Sequence, residues 1–102
     1  MLQSKGKTHK NGQEVKTMKI EVIGSHNCPD TLYAVAKLKE ACVDVDFVNL
    51  SAGLPELKRY LFFRDTCPLY DAVKERGSIG IPLFVFEDGS VTMELSEVLA
   101  KL

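Results

Sequence analysis

The chain has 102 residues, 45% of them hydrophobic, and a formal net charge of −1 at pH 7. This length and composition suit one small globular domain with a single core. No apolar run approaches the ~20 residues of a transmembrane helix, and no segment resembles a secretory signal, so we expect a cytoplasmic protein without a membrane partner.

The charge is unevenly distributed along the chain. Residues 1–17 carry four lysines and one glutamate, a charge of +3, whereas residues 18–102 carry −4. The lysines are dispersed and have no aromatic neighbours, which is typical of a solvated extension rather than a nucleic-acid-binding tail. We therefore predict a flexible basic extension over residues 1–17, one domain over residues 18–102 and no nucleic-acid partner.

The three cysteines do not indicate a disulfide framework, because their number is odd and the chain is small. Cys28, Cys42 and Cys67 are far apart in sequence, and His9 and His26 are the histidines that could supplement them. This spacing does not match a zinc site, so we predict no metal.

The first half of the domain reads as a strand, a helix and a second strand. Residues 19–24 are mostly apolar and predict a strand covered on both faces, and residues 43–50 predict another. Between them, a helix is predicted over residues 29–41, with apolar positions at helical spacing: Leu32, Val35, Leu38 and Cys42. This pattern predicts that Cys42 is a buried thiol and that the two strands are parallel, joined by a right-handed crossover.

Two further helices, each opened by a proline, are predicted over residues 55–65 and 68–76. Leu57 and Leu61 are expected on the inward face of the first, with Tyr60 and Phe62 or Phe63 as further inward candidates. Cys67 lies in the joint between the two helices.

The end of the chain predicts a β-hairpin and a last helix. Residues 83–87 form an apolar strand, Asp88-Gly89 is a strong signal for a two-residue turn, and residues 90–94 return antiparallel. Ser96 is then placed to cap a short final helix.

Residues 25–31, of sequence SHNCPDT, join the first strand to the first helix. The first N–H groups of a helix have no intrahelical partner, and its peptide dipoles place partial positive charge there. A thiolate of Cys28 at this point would be stabilised as a nucleophile, and Pro29 suits the first helical position. The alternative is that Cys28 is a small, inert hydrophobic residue before a helix.

This order of elements, with Gly80-Ile81-Pro82 leading into the hairpin, resembles the thioredoxin fold. Within that fold the chain is similar to glutaredoxin-related proteins over residues 18–102. Cys28-Pro29-Asp30-Thr31 and Ile81-Pro82 carry the resemblance, and residues 61–66 (LFFRDT) add to it. It implies an α/β fold of order β-α-β-α-α-β-β-α, in which helices flank a central four-stranded mixed sheet.

The resemblance also implies roles for individual residues in thiol-disulfide exchange. Cys28 would be the nucleophile at the helix start that Pro29 opens. Pro82 would follow a cis peptide bond, and the backbone of Ile81 would pair with the backbone of a bound thiol substrate. The Thr31 hydroxyl either donates to the Cys28 thiolate or is an ordinary first-turn threonine.

The implied partners are glutathione, as a co-substrate, and protein thiols or mixed disulfides, with no bound cofactor. Thr31 stands where many glutaredoxins have a second cysteine, so the implied reaction is monothiol exchange through Cys28. Ser25 stands where the family often places a lysine that holds a glutathione carboxylate. Ser96 and Glu97 stand near the segment that binds the other end of glutathione.

Several alternatives stay open. Cys67 is a candidate resolving cysteine for Cys28, and its other interpretation is a semi-buried packing residue. His26 is expected to be an exposed loop histidine rather than a partner of the thiolate. The run His26-Asn27-Cys28 has some likeness to arsenate reductases, which need several positioned arginines. The chain could also be a non-catalytic thioredoxin-fold binding module.

Overall fold

The structure is a computed structural model that describes residues 18–102. The predicted extension over residues 1–17 lies outside the described residues. The elements follow the order β-α-β-α-α-β-β-α, as predicted: β1 Lys19–Gly24, α1 Pro29–Glu40, β2 Asp44–Asn49, α2 Leu54–Thr66, α3 Tyr70–Glu75, β3 Leu83–Val85, β4 Val91–Thr92 and α4 Leu95–Leu99.

The four strands form one mixed sheet of order β2-β1-β3-β4. β1 and β2 are parallel, and Gly24 pairs with Asn49 where both strands end. β3 runs antiparallel to β1, with Leu83 opposite Ile23, and β4 runs antiparallel to β3. The ends of β1, β2 and β4 and the start of β3 therefore lie together, at what we call the carboxyl end of the sheet.

Helices cover both faces of this sheet, which places the protein in the α/β class, as predicted. Strand side chains alternate between the faces. One face packs against α1 and α4 through a cluster of buried residues: Ile20, Val22, Ala34, Leu38, Val43, Phe84 and Val98. The other packs against α2 and α3 through a second cluster: Ile23, Tyr60, Tyr70, Val73, Leu83 and Val85.

The prediction that Cys42 is a buried core thiol was wrong: Cys42 is exposed. α1 ends at Glu40, and Cys42 has a φ of 62°, the left-handed conformation that often ends a helix. The N–H groups of Cys42 and Val43 donate to the carbonyls of Lys39 and Leu38, at 3.0 Å each. This turn sends Val43, rather than Cys42, into the core.

The buried face of α1 is also rotated from the predicted one. Thr31, Ala34 and Leu38 are buried at helical spacing, whereas Leu32 is 50% exposed. On α2, Tyr60 is buried and Leu57 packs partly against the core, while Leu61 is 39% exposed. The predicted inward faces were therefore right in part: Leu38, Leu57 and Tyr60 face the core, whereas Leu32 and Leu61 do not.

A hairpin joins β3 and β4, as predicted, but its loop is Glu87-Asp88-Gly89, one residue longer than the predicted Asp88-Gly89 turn, and the Gly89 N–H donates to the Phe86 carbonyl at 2.9 Å. Gly89 has a φ of 91°, and the Phe86 N–H donates to the Ser90 carbonyl at 2.8 Å. The Ser90 hydroxyl and N–H donate to Asp88 Oδ1 at 2.6 and 2.9 Å, which holds the pKa of that carboxyl below its usual range. No helix within residues 18–102 is long and apolar enough to cross a membrane.

Candidate functional site

Cys28 occupies the N-cap position of α1, at the carboxyl end of the sheet. Its backbone is extended (φ −101°, ψ 115°), its N–H donates to the Ser25 carbonyl at 2.9 Å, and its carbonyl accepts from Leu32 N–H at 3.1 Å. Pro29 is the first helical residue, as predicted. The residue is partly exposed, and within residues 18–102 no side chain hydrogen-bonds its thiol. Cys28 is thus a partly accessible thiol at a helix start.

Ser25, a predicted substrate contact, is a buried residue of the loop between β1 and α1. Its hydroxyl accepts from Asn27 N–H at 3.1 Å and lies 2.8 Å from the Ser51 hydroxyl. Its N–H donates to Thr31 Oγ1 at 3.4 Å. These bonds give Ser25 a role in the shape of the loop, and contact with a substrate stays a prediction.

Thr31 is fully buried and packs against Gly24. A Cβ atom on Gly24 would lie 2.4 Å from Thr31 Oγ1 and 2.5 Å from its methyl carbon, closer than atoms can approach. Among the described residues no hydrogen bond joins the Thr31 hydroxyl to Cys28. The observed contacts give Thr31 a packing role, and donation to a Cys28 thiolate stays a prediction.

The β1–α1 loop is tied to the end of β2 by Asn49, a residue that the sequence analysis missed. Asn49 Oδ1 accepts from the backbone N–H groups of His26 and Ser51, at 3.3 and 3.1 Å. Its Nδ2 lies 2.9 Å from His26 Nδ1. His26 is exposed, as expected. A polar residue at the predicted end of a strand parallel to β1 was the signal that could have identified Asn49.

The Ile81–Pro82 peptide bond is cis, as the resemblance implied. Because Leu83 pairs with Ile23, Pro82 precedes β3 beside the point where Gly24 ends β1, at the same end of the sheet as Cys28. Ile81 is partly buried, and within residues 18–102 its backbone N–H and C=O form no hydrogen bond.

Side chains from α2 and α3 hold the segment that leads to this proline. Tyr70 OH donates to the Gly80 carbonyl at 2.8 Å, and Tyr60 OH donates to the Ile79 carbonyl at 2.6 Å. Arg64 Nη1 donates to the Ser78 carbonyl at 3.0 Å. Burial raises the pKa of Tyr70 well above its usual range. No local pattern in the sequence indicates these contacts, which join residues 10 to 19 positions apart.

Ser96 and Glu97, the other predicted substrate contacts, lie in α4 just after β4, whose end reaches the carboxyl end of the sheet. Ser96 is exposed but is not the cap: Glu94 is the N-cap residue, so that prediction was wrong. Instead Thr92 Oγ1 accepts from Glu94 N–H at 3.1 Å and donates to Glu97 Oε1. Part of the Glu97 carboxylate is therefore engaged within the protein.

Cys67 follows α2 and packs against the core cluster of the α2–α3 face. It is partly exposed, as Cys28 is, and both are free thiols in the structure. Among residues 18–102, no three His, Cys, Asp or Glu side chains come together as a metal site requires.

A cleft of about 300 Å³ lies away from Cys28, on the face covered by α2. Arg59 and Glu21 both line this cleft, and the Arg59 guanidinium donates two hydrogen bonds to the Glu21 carboxylate, at 2.8 and 2.9 Å. This pairing raises the pKa of Arg59 and commits its guanidinium to a carboxylate of β1.

Comparison with known proteins gives a relative but no activity. No family model and no solved structure matches the chain. A protein of Haemophilus influenzae, described as "Uncharacterized protein", is 36% identical over 74 residues, which are 72% of this chain and 86% of that protein. At this identity and coverage, the chain belongs to the same family as the Haemophilus influenzae protein.

Proposed function

We propose that the chain has a thioredoxin-like fold and is a monothiol thiol-disulfide oxidoreductase of glutaredoxin type. The observation that carries the proposal is the placement of Cys28 at the start of α1, at the same end of the sheet as the cis Ile81–Pro82 bond. A helix start favours a thiolate over a thiol, and partial exposure of Cys28 lets a disulfide reach it.

The proposed reaction has two exchanges. The Cys28 thiolate, having released its proton to water, attacks one sulfur of a disulfide R–S–S–R′, so that Cys28–S–S–R forms and R′–S⁻ leaves and takes up a proton. A second thiolate then attacks the R sulfur, forms a new disulfide and returns Cys28 as thiolate. No electrons are gained or lost by the protein over the cycle.

Glutathione is the proposed small thiol, and protein mixed disulfides are the proposed larger partners. The unpaired backbone of Ile81 is suited to pair with the extended backbone of such a substrate. Ser96 and the remaining acceptor capacity of Glu97 are the proposed contacts near α4. Three free cysteines suit a reducing compartment, so we place the reaction in the cytoplasm.

The arginines give less support to an arsenate-reductase-like activity. Such a reaction needs guanidinium groups around the oxyanion near the nucleophile. Two of the three arginine side chains have partners of their own: Arg59 is paired with Glu21, and Arg64 donates to the Ser78 carbonyl. A non-catalytic binding module stays the second candidate, since the fold alone specifies no activity.

Intact mass after incubation with oxidised glutathione tests the proposal. We expect one glutathione adduct, lost in Cys28→Ser and kept in Cys42→Ser. Cys42 is the matched control because it is more exposed than Cys28 but lies after a helix rather than before one. An adduct that persists in Cys28→Ser would contradict the proposal.

The same experiment separates monothiol from dithiol chemistry. Loss of two hydrogens without an adduct would indicate an internal disulfide, with Cys67 as the resolving partner. In that case Cys67→Ser would restore the glutathione adduct at Cys28.

A further inference from the structure

The end of β2 is joined to the loop that carries Cys28 at three neighbouring points, one of which is the side chain of Asn49. The Leu50 N–H donates to the Gly24 carbonyl at 2.8 Å, and the Ser51 and Ser25 hydroxyls are 2.8 Å apart. Between these contacts the Asn49 side chain meets both the backbone and the ring of His26. The position of the residues before Cys28 therefore depends on the end of β2.

The orientation of the Asn49 amide is fixed by its backbone partners. Two N–H donors, from His26 and Ser51, converge on one atom of the amide, and that atom must be the oxygen because an NH₂ group cannot accept. The NH₂ group of Asn49 then faces His26 Nδ1 at 2.9 Å and donates to it. His26 Nδ1 must accept, so its proton is on Nε2.

We propose that Asn49 is a positioning residue for Cys28 and that it holds His26 as the neutral Nε2–H tautomer. The exposed imidazole then offers an uncharged N–H donor, two residues before Cys28, to an acceptor group of the bound disulfide. This inference rests on the proposed function for the role of Cys28, but the tautomer follows from the hydrogen bonds alone.

Asn49→Asp tests the tautomer with almost no change in shape. One carboxylate oxygen still accepts from the two backbone N–H groups, but the other now needs a donor, so His26 must carry a proton on Nδ1. Imidazole ¹⁵N NMR of the full chain reads this directly, with His9→Gln in every sample because the chain has two histidines. The spectra are recorded at a pH of about 8, above the range in which free imidazole titrates.

We expect an unprotonated Nδ1 in the unchanged site and a protonated Nδ1 in Asn49→Asp. A protonated Nδ1 with Asn49 in place, or the same spectrum in both proteins, would overturn the tautomer assignment. Neither result depends on whether Cys28 reacts.

The rate of glutathione adduct formation at Cys28 tests the positioning role that Asn49 has through His26. In Asn49→Asp the imidazole proton is on Nδ1, so Nε2 no longer donates a hydrogen bond to the bound disulfide. We expect a fall of about ten-fold in Asn49→Asp, the size expected for one lost hydrogen bond near the reacting group. Ala52→Asp is the control, because it adds the same charge to an exposed residue of the loop after β2 and leaves the Asn49–His26 hydrogen bonds in place. A changed tautomer with an unchanged rate, or an equal fall in Ala52→Asp, would overturn the role. If the protein with Asn49 in place forms no glutathione adduct at all, the proposed function is wrong, and so is the positioning role. The NMR spectra decide the tautomer of His26 in either case.

Discussion

Gly24 shows how closely the chain must pack beneath the candidate nucleophile. Gly24 is the last residue of β1, has no side chain, and lies against the buried Thr31. Two heavy atoms of Thr31 occupy the space that any side chain at residue 24 would need. The absence of a Cβ there lets α1 begin close to the sheet and sets the position from which Cys28 emerges.

Gly24→Ala should therefore destabilise the protein by about 1–3 kcal/mol, the usual cost of forcing atoms into a packed core. Thr31→Ala removes the two nearest atoms, so the double variant should be less destabilised than the sum of the single ones. Urea unfolding measures each free energy. Gly53→Ala is the control, because its Cβ would meet the mobile end of Glu56 at 3.3 Å. Additive free energies for Gly24→Ala and Thr31→Ala would contradict this packing account.

Helices α2 and α3 hold the segment of residues 78–80 in place through hydrogen bonds from their side chains. Tyr60, Arg64 and Tyr70 each donate to a backbone carbonyl between Ser78 and Gly80, directly before Ile81. Gly80 has a φ of 76°, and a Cβ on it would lie 2.7 Å from the Tyr70 ring. The ring and the glycine together fix the path of the chain into β3.

Tyr70→Phe should lower the free energy of unfolding by about 1 kcal/mol at neutral pH, because the Gly80 carbonyl loses a buried donor. Burial raises the pKa of Tyr70 in the folded state, so the unfolded chain loses this proton first as the pH rises past about 10. The contribution of Tyr70 to the free energy of unfolding is therefore complete below a pH of about 10 and declines above it. Urea unfolding from pH 8 to 11 should show a smaller decline in Tyr70→Phe than in the unchanged protein. Tyr33→Phe, at a residue that is 59% exposed, should leave the decline unchanged.

The elements that were predicted correctly are those that a short stretch of consecutive residues specifies. The apolar run of β1, the proline that opens α1 and the glycine of the β3–β4 hairpin each specify local structure, and each was found where it was predicted, although the hairpin loop is one residue longer than expected. The prediction that Cys42 is buried was wrong because the left-handed conformation at a helix end is usually marked by glycine, and here a cysteine adopts it. Asn49, Tyr60 and Tyr70 were missed because their partners are set by the sheet and by helix packing, and no local pattern encodes them.

At the scale of the whole molecule, the strand order brings the candidate site together. β1 and β2 run parallel and β3 is antiparallel to β1, so the loops after β1 and β2 lie at the same end of the sheet as the start of β3. Cys28, Asn49 and Pro82 are separated by 54 positions of sequence from first to last but lie at one end of one sheet. The cleft beside Arg59 belongs to another part of the same sheet and contributes no residue to this site.

This arrangement makes one thiol, rather than the fold or the number of cysteines, the basis of the proposed activity. Cys28 precedes a helix at the same end of the sheet as the cis bond, Cys42 follows the end of the same helix, and Cys67 packs on the face covered by α2 and α3. If the proposal is correct, turnover should depend on Cys28 and be insensitive to Cys42.

The most direct test is steady-state thiol transfer from a small mixed disulfide to glutathione, measured for the full chain, Cys28→Ser and Cys42→Ser. We expect catalysis above the rate of glutathione alone, complete loss in Cys28→Ser and full retention in Cys42→Ser. Turnover that survives in Cys28→Ser, or an unchanged protein no faster than free glutathione, would contradict it, and the latter result would favour a binding module.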